Sequence, residues 1–338
     1  MLLIGLDAHE RTSSLCILDT SGQVVKEQTV CGHPRNAVRW LRELKEPFQV
    51  CFEASTNYGW LYDELSAVAA KVTVAHPGRL RLIFQSRRKN DRIDAARLAK
   101  LLYLGEVPSV HVPNVDVRAW RGLIEHRQSC VRERTRIKNG LRALLRSEGV
   151  ASVRGRRLWT RAGQAWLADL QFASPVSAMR RDQFLEDLEY RDRKIKRVEK
   201  MLAEIAAGHP GIALLRTIPG VGIRTAEAFL AYVDDPARFQ GRSIGAYLGI
   251  VPRQDASGGV NRLGRITRDG PATVRQMLAE ASWQAIRRSG AVRKKFERIR
   301  QERKDRTKKA LIATAHYLAR VMISMLNTGE AWREELAA

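Results

Sequence analysis

Cysteine is scarce in this chain, at 4 of 338 residues. Cys16, Cys31, Cys51 and Cys130 are scattered, with no C-x-x-C pair and no histidine beside them at metal-ligand spacing. That argues against a disulfide framework or a zinc finger and fits a reducing cytoplasm. Long apolar runs are also missing: none approaches the ~18–20 residues of a membrane span, so no membrane association is expected. The opening Met-Leu-Leu-Ile-Gly-Leu is cut by Asp7 and follows no basic segment, which is not the pattern of a secretory leader. The third shortage is of acid. Asp and Glu number 36 against 59 Lys and Arg, a formal net charge of +23. A surface this basic repels itself unless phosphates neutralise it, and release of their counterions drives binding. A polyanionic partner is therefore expected. Charge alone does not separate a protein that only binds nucleic acid from one that reacts with it, so acids and nucleophiles must decide. With 44% hydrophobic residues the chain can bury a sizeable core, and its length points to two or three domains.

Residues 2–6, 15–18 and 24–30 are short apolar or alternating runs, with Thr20-Ser21-Gly22 as a turn between the second and third. Helical spacing follows over 34–44, then a strand at 48–52, a helix at 60–70, a strand at 72–75 stopped by Pro77, and a helix at 91–104. A meander followed by βα crossovers is the strand sequence of a ribonuclease-H-like α/β fold, assigned here to residues 1–113. Residues 115–148 contain no proline and predict a long helix. Phe184, Leu188, Ile195, Val198, Leu202 and Ile205 then recur at heptad spacing, broken at Arg191. Residues 114–208 thus read either as a coiled-coil arm or as helices packed on their own domain. The break at Gly208-His209-Pro210-Gly211 opens a basic, mainly helical third part, 209–330. Its Ile218-Pro219-Gly220-Val221-Gly222 turn, before Thr225-Ala226, has the form of a helix-hairpin-helix. Backbone N–H groups there could hold a phosphate, or the turn could simply join two packed helices.

Four acids stand out. Asp7 and Glu53 each follow a buried-looking strand; if those strands are parallel neighbours, both carboxylates emerge at one edge of the sheet. Asp91 and Asp94, three apart at a helix start, share a face. They could merely favour the helix dipole, but like charges this close are best relieved by a hard cation. Four carboxylates from three elements, with no Cys or His ligands, suit Mg²⁺, and two such ions can clamp the attacking and leaving oxygens of a phosphodiester.

Gly5-Leu6-Asp7, Phe52-Glu53-Ala54-Ser55 and Asn90-Asp91-Arg92-Ile93-Asp94-Ala95-Ala96-Arg97 resemble the three blocks of the DEDD transposases, insertion-sequence recombinases with a RuvC-like N-terminal domain. The second half is similar as well, through Ile218–Gly222, Thr225-Ala226, Tyr247-Leu248-Gly249-Ile250-Val251-Pro252-Arg253 and Ser257-Gly258. The resemblance implies a serine nucleophile at Ser257, which sits in a flexible Asp255–Gly259 loop followed by Arg262, Arg265 and Arg268. Cations around a hydroxyl favour its attack on phosphorus. It further implies a covalent 5′-phosphoserine intermediate, a non-coding bridge RNA that pairs with target and donor DNA, and a homo-oligomer, a dimer or tetramer, in which the acids of one subunit meet the serine of another. Activity on the nucleoid, in the cytoplasm, follows. Candidate nucleic-acid contacts are Arg87, Arg88 and Lys89, then Arg253, Arg262, Arg265 and Arg268, and Lys294 and Lys295 in the basic stretch 287–309. The rivals are a RuvC-like nuclease that hydrolyses branched DNA, its serine structural, and a non-catalytic nucleic-acid-binding protein.

Overall fold

The computed structural model describes residues 1–55, 58–84, 90–151, 155–240 and 243–334, so Arg87, Arg88 and Lys89 lie outside the described residues. The chain forms two compact units, Met1–Val115 and Asp116–Ala338.

A five-stranded sheet carries the first unit: β1 (Leu2–Ala8), β2 (Thr12–Leu18), β3 (Val24–Cys31), β4 (Phe48–Glu53) and β5 (Lys71–Ala75), in the order β3-β2-β1-β4-β5. The first three strands form an antiparallel meander, and β1, β4 and β5 run parallel. This mixed α/β arrangement is consistent with a ribonuclease-H-like fold. The period of two along β1 divides its side chains between two layers. Leu2, Ile4 and Leu6 pack with Leu15, Ile17, Val50 and Phe52 against α1 (Arg35–Arg42) and α2 (Tyr58–Ser66). Each such fully buried aliphatic side chain contributes about 1.5–3 kcal/mol. On the opposite face lies α4 (Asp91–Leu104), whose Ala95 and Ala99 pack with Cys16, Leu18 and Leu3. Small residues on α4 let it approach the sheet closely. The closest approach is at Gly5, where a Cβ would stand 2.0 Å from the Ala95 carbonyl oxygen and 2.4 Å from the Ala99 nitrogen.

In the first unit one element departs from the sequence expectation. Pro77 does end β5, but it also begins a short helix, α3 (Pro77–Ile83). Its first turn is capped by the His76 ring, which accepts from the Arg79 N–H. Proline at the first helical position loses no hydrogen bond, so it starts a helix as readily as it stops a strand.

The second unit is mostly helical. Two long helices, α5 (Val115–Ser147) and α7 (Pro175–Ala206), flank the short α6 (Arg161–Asp169). Arg127 pairs with Glu199, Arg134 with Asp192 and Arg191 with Glu133, while Ser177 bonds Glu148. Partners rise along one helix as they fall along the other, so the two run antiparallel. The apolar stripe of α7 is thus consumed inside the chain: Leu188, Ile195, Val198 and Leu202 are buried, as is Ala206, whereas Ile205 is exposed. A helix turns in 3.6 residues, and over this length the buried line drifts off the strict heptad. Arg191, the break in that repeat, is where the pair is tied by an ion pair. The buried part of the stripe is therefore spent on contacts within the chain.

The remaining elements are α8 (Pro210–Leu215), α9 (Ile223–Val233), α10 (Ser243–Tyr247), a hairpin of β6 (Pro252–Ser257) and β7 (Val260–Ile266), then α11 (Ala272–Arg288), α12 (Gly290–Arg300) and α13 (Thr307–Thr328). Their core joins Leu215, Phe229, Leu248, Leu278, Val292 and Leu318 to the base of the long helices through Trp120, Ile124, Val198 and Leu202. Among the described residues, one helical stretch, Lys304–Thr328, is long and apolar enough to cross a membrane by length and composition. Its Ala310, Thr314, Ala315, Leu318, Ala319 and Met322 are fully buried in this core, which accounts for that composition.

Candidate active site

The site of the first unit is built at the C-terminal ends of β1 and β4. In the parallel register Leu6 lies beside Phe52, which sets Asp7 beside Glu53 one residue further on. Both carboxylates thus leave the sheet at one edge, as the sequence predicts for parallel neighbours. Because side chains alternate along a strand, Asp7 shares the α4 face with Gly5. The close approach at Gly5 lays α4 across β1 and carries the helix start to Asp7. There Asn90 caps α4 by accepting from the Arg92 N–H, with Asp91 and Asp94 in the first turn.

The tightest group is one the sequence reading missed in part. His9, just past β1, places Nε2 3.2 Å from Asp7 Oδ2 and 3.7 Å from Asp91 Oδ1. One ligand atom from each of Asp7, His9 and Asp91 lies within 4.8 Å of the other two. A histidine thus stands beside the acids, where the sequence reading expects carboxylates alone. The signal was the spacing Asp7-Ala8-His9, which puts both side chains on one face of an extended chain. Asp94 stands one turn along α4 and pairs with Arg97 at 3.1 Å. Glu53 is exposed at the end of its strand and stays outside the tight group.

Electrostatics mark Asp7 as the strained member. Its side chain is only 16% exposed, and burial raises its pKa above the ordinary carboxylate value. The negative charges of Asp91 and Asp94 add to that rise, while His9 opposes it. Carboxylate oxygens facing one another with a deficit of positive charge are the donor chemistry that a divalent cation satisfies. The residues present therefore fit a metal: Asp7 and Asp91 as oxygen donors, with Asp94 and Glu53 at the same rim.

Ser257 belongs to the second unit, and here too the structure corrects an expectation. The Asp255–Gly259 segment is not a loose loop but the tip of the β6–β7 hairpin. Ser257 pairs with Val260 across a two-residue Gly258-Gly259 turn. Both glycines take positive φ, +55° and +81°, as a tight hairpin turn demands. Every residue of β6 and all of β7 but its last are exposed. The register pairs Asp255 with Arg262, so Arg262 shares a face of the ribbon with Ser257, and Arg265 stands on the other. Arg253 lies at the irregularity between Pro252 and Gln254, and Arg268 follows β7 with a left-handed φ of 62°.

Other basic candidates divide by their partners. Lys294 is exposed on α12, whereas Lys295 lies over the Tyr317 ring at 4.2 Å. Burial, and then the neighbouring Arg298 and Arg320, lower the Lys295 pKa. Within the same basic stretch, Arg293 donates to the Ile286 and Arg287 carbonyls at the end of α11. In the helix-hairpin-helix-like segment Gly220 (φ 98°) is a packing turn: a Cβ there would meet the Ala285 nitrogen at 2.5 Å. Gly222, which caps α9 without a side-chain bond, faces open space.

Two family models match the chain in order. A DEDD-type IS110 transposase model covers residues 4–148, and a model described as transposase of the IS116/IS110/IS902 family covers residues 212–298. The Sinorhizobium fredii protein y4qE, which bears a transposase name, is 30% identical over 74% of this chain, and the match spans 61% of that relative's length. The transposase for insertion sequence element IS1111A of Coxiella burnetii is 25% identical over 84% of this chain and 78% of its own. That for IS1328 of Yersinia enterocolitica is 26% identical over 70% of each. Carrying both models in the same order, the chain belongs to the IS116/IS110/IS902 family of insertion-sequence transposases.

Proposed function

We propose that this chain moves an insertion sequence by cutting and rejoining DNA through a covalent phosphoserine. In this reading Asp7, Glu53, Asp91 and Asp94 are the catalytic acids of a ribonuclease-H-like domain and hold divalent metal, Mg²⁺ at cellular abundance. The bound ion would polarise the scissile phosphate and offset charge on the leaving oxygen. The chain's own groups do the rest. The Ser257 Oγ attacks phosphorus, the Oγ–P bond forms as the P–O3′ bond breaks, and the serine proton ends on the freed 3′-hydroxyl. The protein is then joined to a 5′ phosphate. A 3′-hydroxyl from another strand later attacks the same phosphorus, restoring the diester and returning the serine hydroxyl. Bond energy is conserved throughout, so no nucleotide cofactor is needed.

Arg262, on the Ser257 face of the hairpin, neutralises the phosphate as charge builds on it. Arg253, Arg265, Arg268 and Lys294 are free to follow the backbone. Sequence choice falls to a non-coding bridge RNA that pairs with target and donor DNA, which leaves the protein to read backbone. The working form is a homo-oligomer, a dimer or tetramer, with carboxylates and serine from different copies meeting at one phosphorus. It acts in the cytoplasm, on the nucleoid.

The observation that carries this reading is the convergence of Asp7 and Asp91, from a strand end and a distant helix start, to within 4.8 Å of each other. The test is Ser257→Ala, assayed on DNA that carries the element junction, in the presence of the transcript flanking the coding frame. The wild type should give a protein–DNA adduct stable in denaturing gels, together with strand exchange, and the variant should give neither. A variant that still cuts would make the enzyme a hydrolase and overturn the serine mechanism.

A further inference from the structure

His9 has no part in the mechanism above, yet its Nε2 stands 3.2 Å from Asp7 Oδ2. Its backbone is fixed: the His9 N–H donates to the Thr12 carbonyl at 2.9 Å, closing the β1–β2 turn, and Ala8 pairs with Ser13. The ring therefore springs from a fixed point at the strand end, half exposed beside the acids. Nε2 faces both carboxylates, at 3.2 and 3.7 Å. Donors bound to one ion at about 2.1 Å stand about 3 Å apart when adjacent on an octahedron and about 4.2 Å when opposite. The two His9 separations fall in that range, and the two carboxylates lie within 4.8 Å of each other. Two carboxylate oxygens and one imidazole nitrogen thus converge as a donor set for one ion.

We propose that His9 is a nitrogen donor to the same divalent ion that Asp7 and Asp91 hold, and that it biases the site toward Mn²⁺ and Co²⁺ over Mg²⁺. The inference rests on the metal-binding reading of the acids and adds to it a ligand and an affinity order. Mg²⁺ is a hard ion that favours oxygen, whereas imidazole is a good donor to the later divalent metals. Occupancy in the cell follows availability as well as affinity, so an Mg²⁺-driven reaction is compatible with this order. An orienting hydrogen bond from His9 to Asp7 makes a different prediction. Losing it would weaken every divalent ion alike, because it acts only through the carboxylate.

The full-length, metal-free protein is titrated with Mn²⁺ in the absence of nucleic acid, with free Mn²⁺ followed by electron paramagnetic resonance and Mg²⁺ used as competitor. Pulsed measurements on bound Mn²⁺ report nitrogen coupling. Wild type should bind Mn²⁺ at least about tenfold more tightly than Mg²⁺ and show imidazole nitrogen coupling. His9→Gln, and His9→Ala as a second variant, should lose the coupling and about tenfold in Mn²⁺ affinity, with Mg²⁺ affinity nearly unchanged. Wild-type binding without nitrogen coupling, or an equal loss for both ions in the variants, would overturn the His9 assignment and leave the acids in place. Asp7→Asn separates the two levels: if that variant binds Mn²⁺ as wild type does, the carboxylate site fails, and the His9 inference fails with it.

Discussion

Replacing Gly5 by alanine adds a single methyl group at the most sensitive contact of the first unit. The new carbon would stand 2.0 Å from the Ala95 carbonyl oxygen and 2.4 Å from the Ala99 nitrogen. Relaxed non-bonded contacts lie at about 3.5 Å, so α4 must retreat from β1 by roughly 1 Å or more. Both atoms are backbone, and no side-chain rotamer change relieves the clash. Overpacking of this kind costs about 1–3 kcal/mol, a fall that a urea midpoint resolves. The functional loss should be larger. The retreat carries Asp91 and Asp94 away from Asp7, and a displacement near 1 Å at reacting groups can cost about a hundredfold in rate. Gly105→Ala is the control on the same helix: it has φ 71° and nothing within 4 Å, so it pays only for left-handed backbone, about 1–2 kcal/mol. The two variants should thus lose similar stability, while Gly5→Ala alone loses Mn²⁺ affinity and strand transfer. A Gly5→Ala protein with wild-type urea midpoint and metal affinity would refute the argument that this contact sets the site.

Further outcomes follow from the same geometry. The Asp7 pKa is raised in the folded protein, so the native state binds that proton more tightly than the unfolded chain. Its contribution to stability is therefore present below the ordinary carboxylate value of 3.8 and is lost as pH rises through the raised value. Asp7→Asn should remove that slope and stabilise the metal-free protein at pH 7 in thermal melts while abolishing strand transfer; a destabilised, metal-free Asp7→Asn protein would contradict this. On the hairpin, Arg262→Ala should reduce formation of the covalent adduct far more than Arg265→Ala, because only Arg262 shares the face of Ser257. Equal losses, measured on the same labelled junction DNA, would show that face does not matter. Both residues are exposed, so neither change should move the melting temperature by more than the effect of an ordinary surface substitution.

What the sequence made legible was whatever is stabilised by burial within the chain. Residues 2–6 and 48–52 read as strands because both of their faces are covered, and the continuous apolar run is the mark of that. Asp7 and Glu53 could be placed at one edge because parallel register follows from the crossover pattern. The helix over 91–104 was readable from Ile93 onward, although Ile93 itself is exposed and the buried line is Ala95, Leu98, Ala99 and Leu101. The heptad on α7 was visible too, but its partner was not: a stripe does not say whether it will meet another copy or α5 of its own chain. His9 gives no signal in a pattern of carboxylates, because a ring two residues from an acid is not itself an acid.

The β6–β7 hairpin was missed for a different reason. It has no buried face, so its residues show no hydrophobic alternation, and only the Gly258-Gly259 pair marks the turn. A lone two-stranded ribbon is marginal in water. This one is anchored at its base, where the Thr267 and Arg268 N–H groups donate to the Val251 and Gly249 carbonyls, and Gly249 itself takes a left-handed φ of 64° that seats its Cα against Asp269. Nothing in the hairpin beyond that base is held by a core. Ser257 therefore sits at the tip of an element whose sequence is free of packing constraint on both faces, and that freedom is what a surface needs if its ligand is a phosphate backbone. Patterns of burial report the contacts a chain makes with itself. A ribbon whose partner is nucleic acid leaves no such pattern, and in the proposed reading its composition, with Arg262 on the face of the hydroxyl and Arg265 on the other, reports that partner instead.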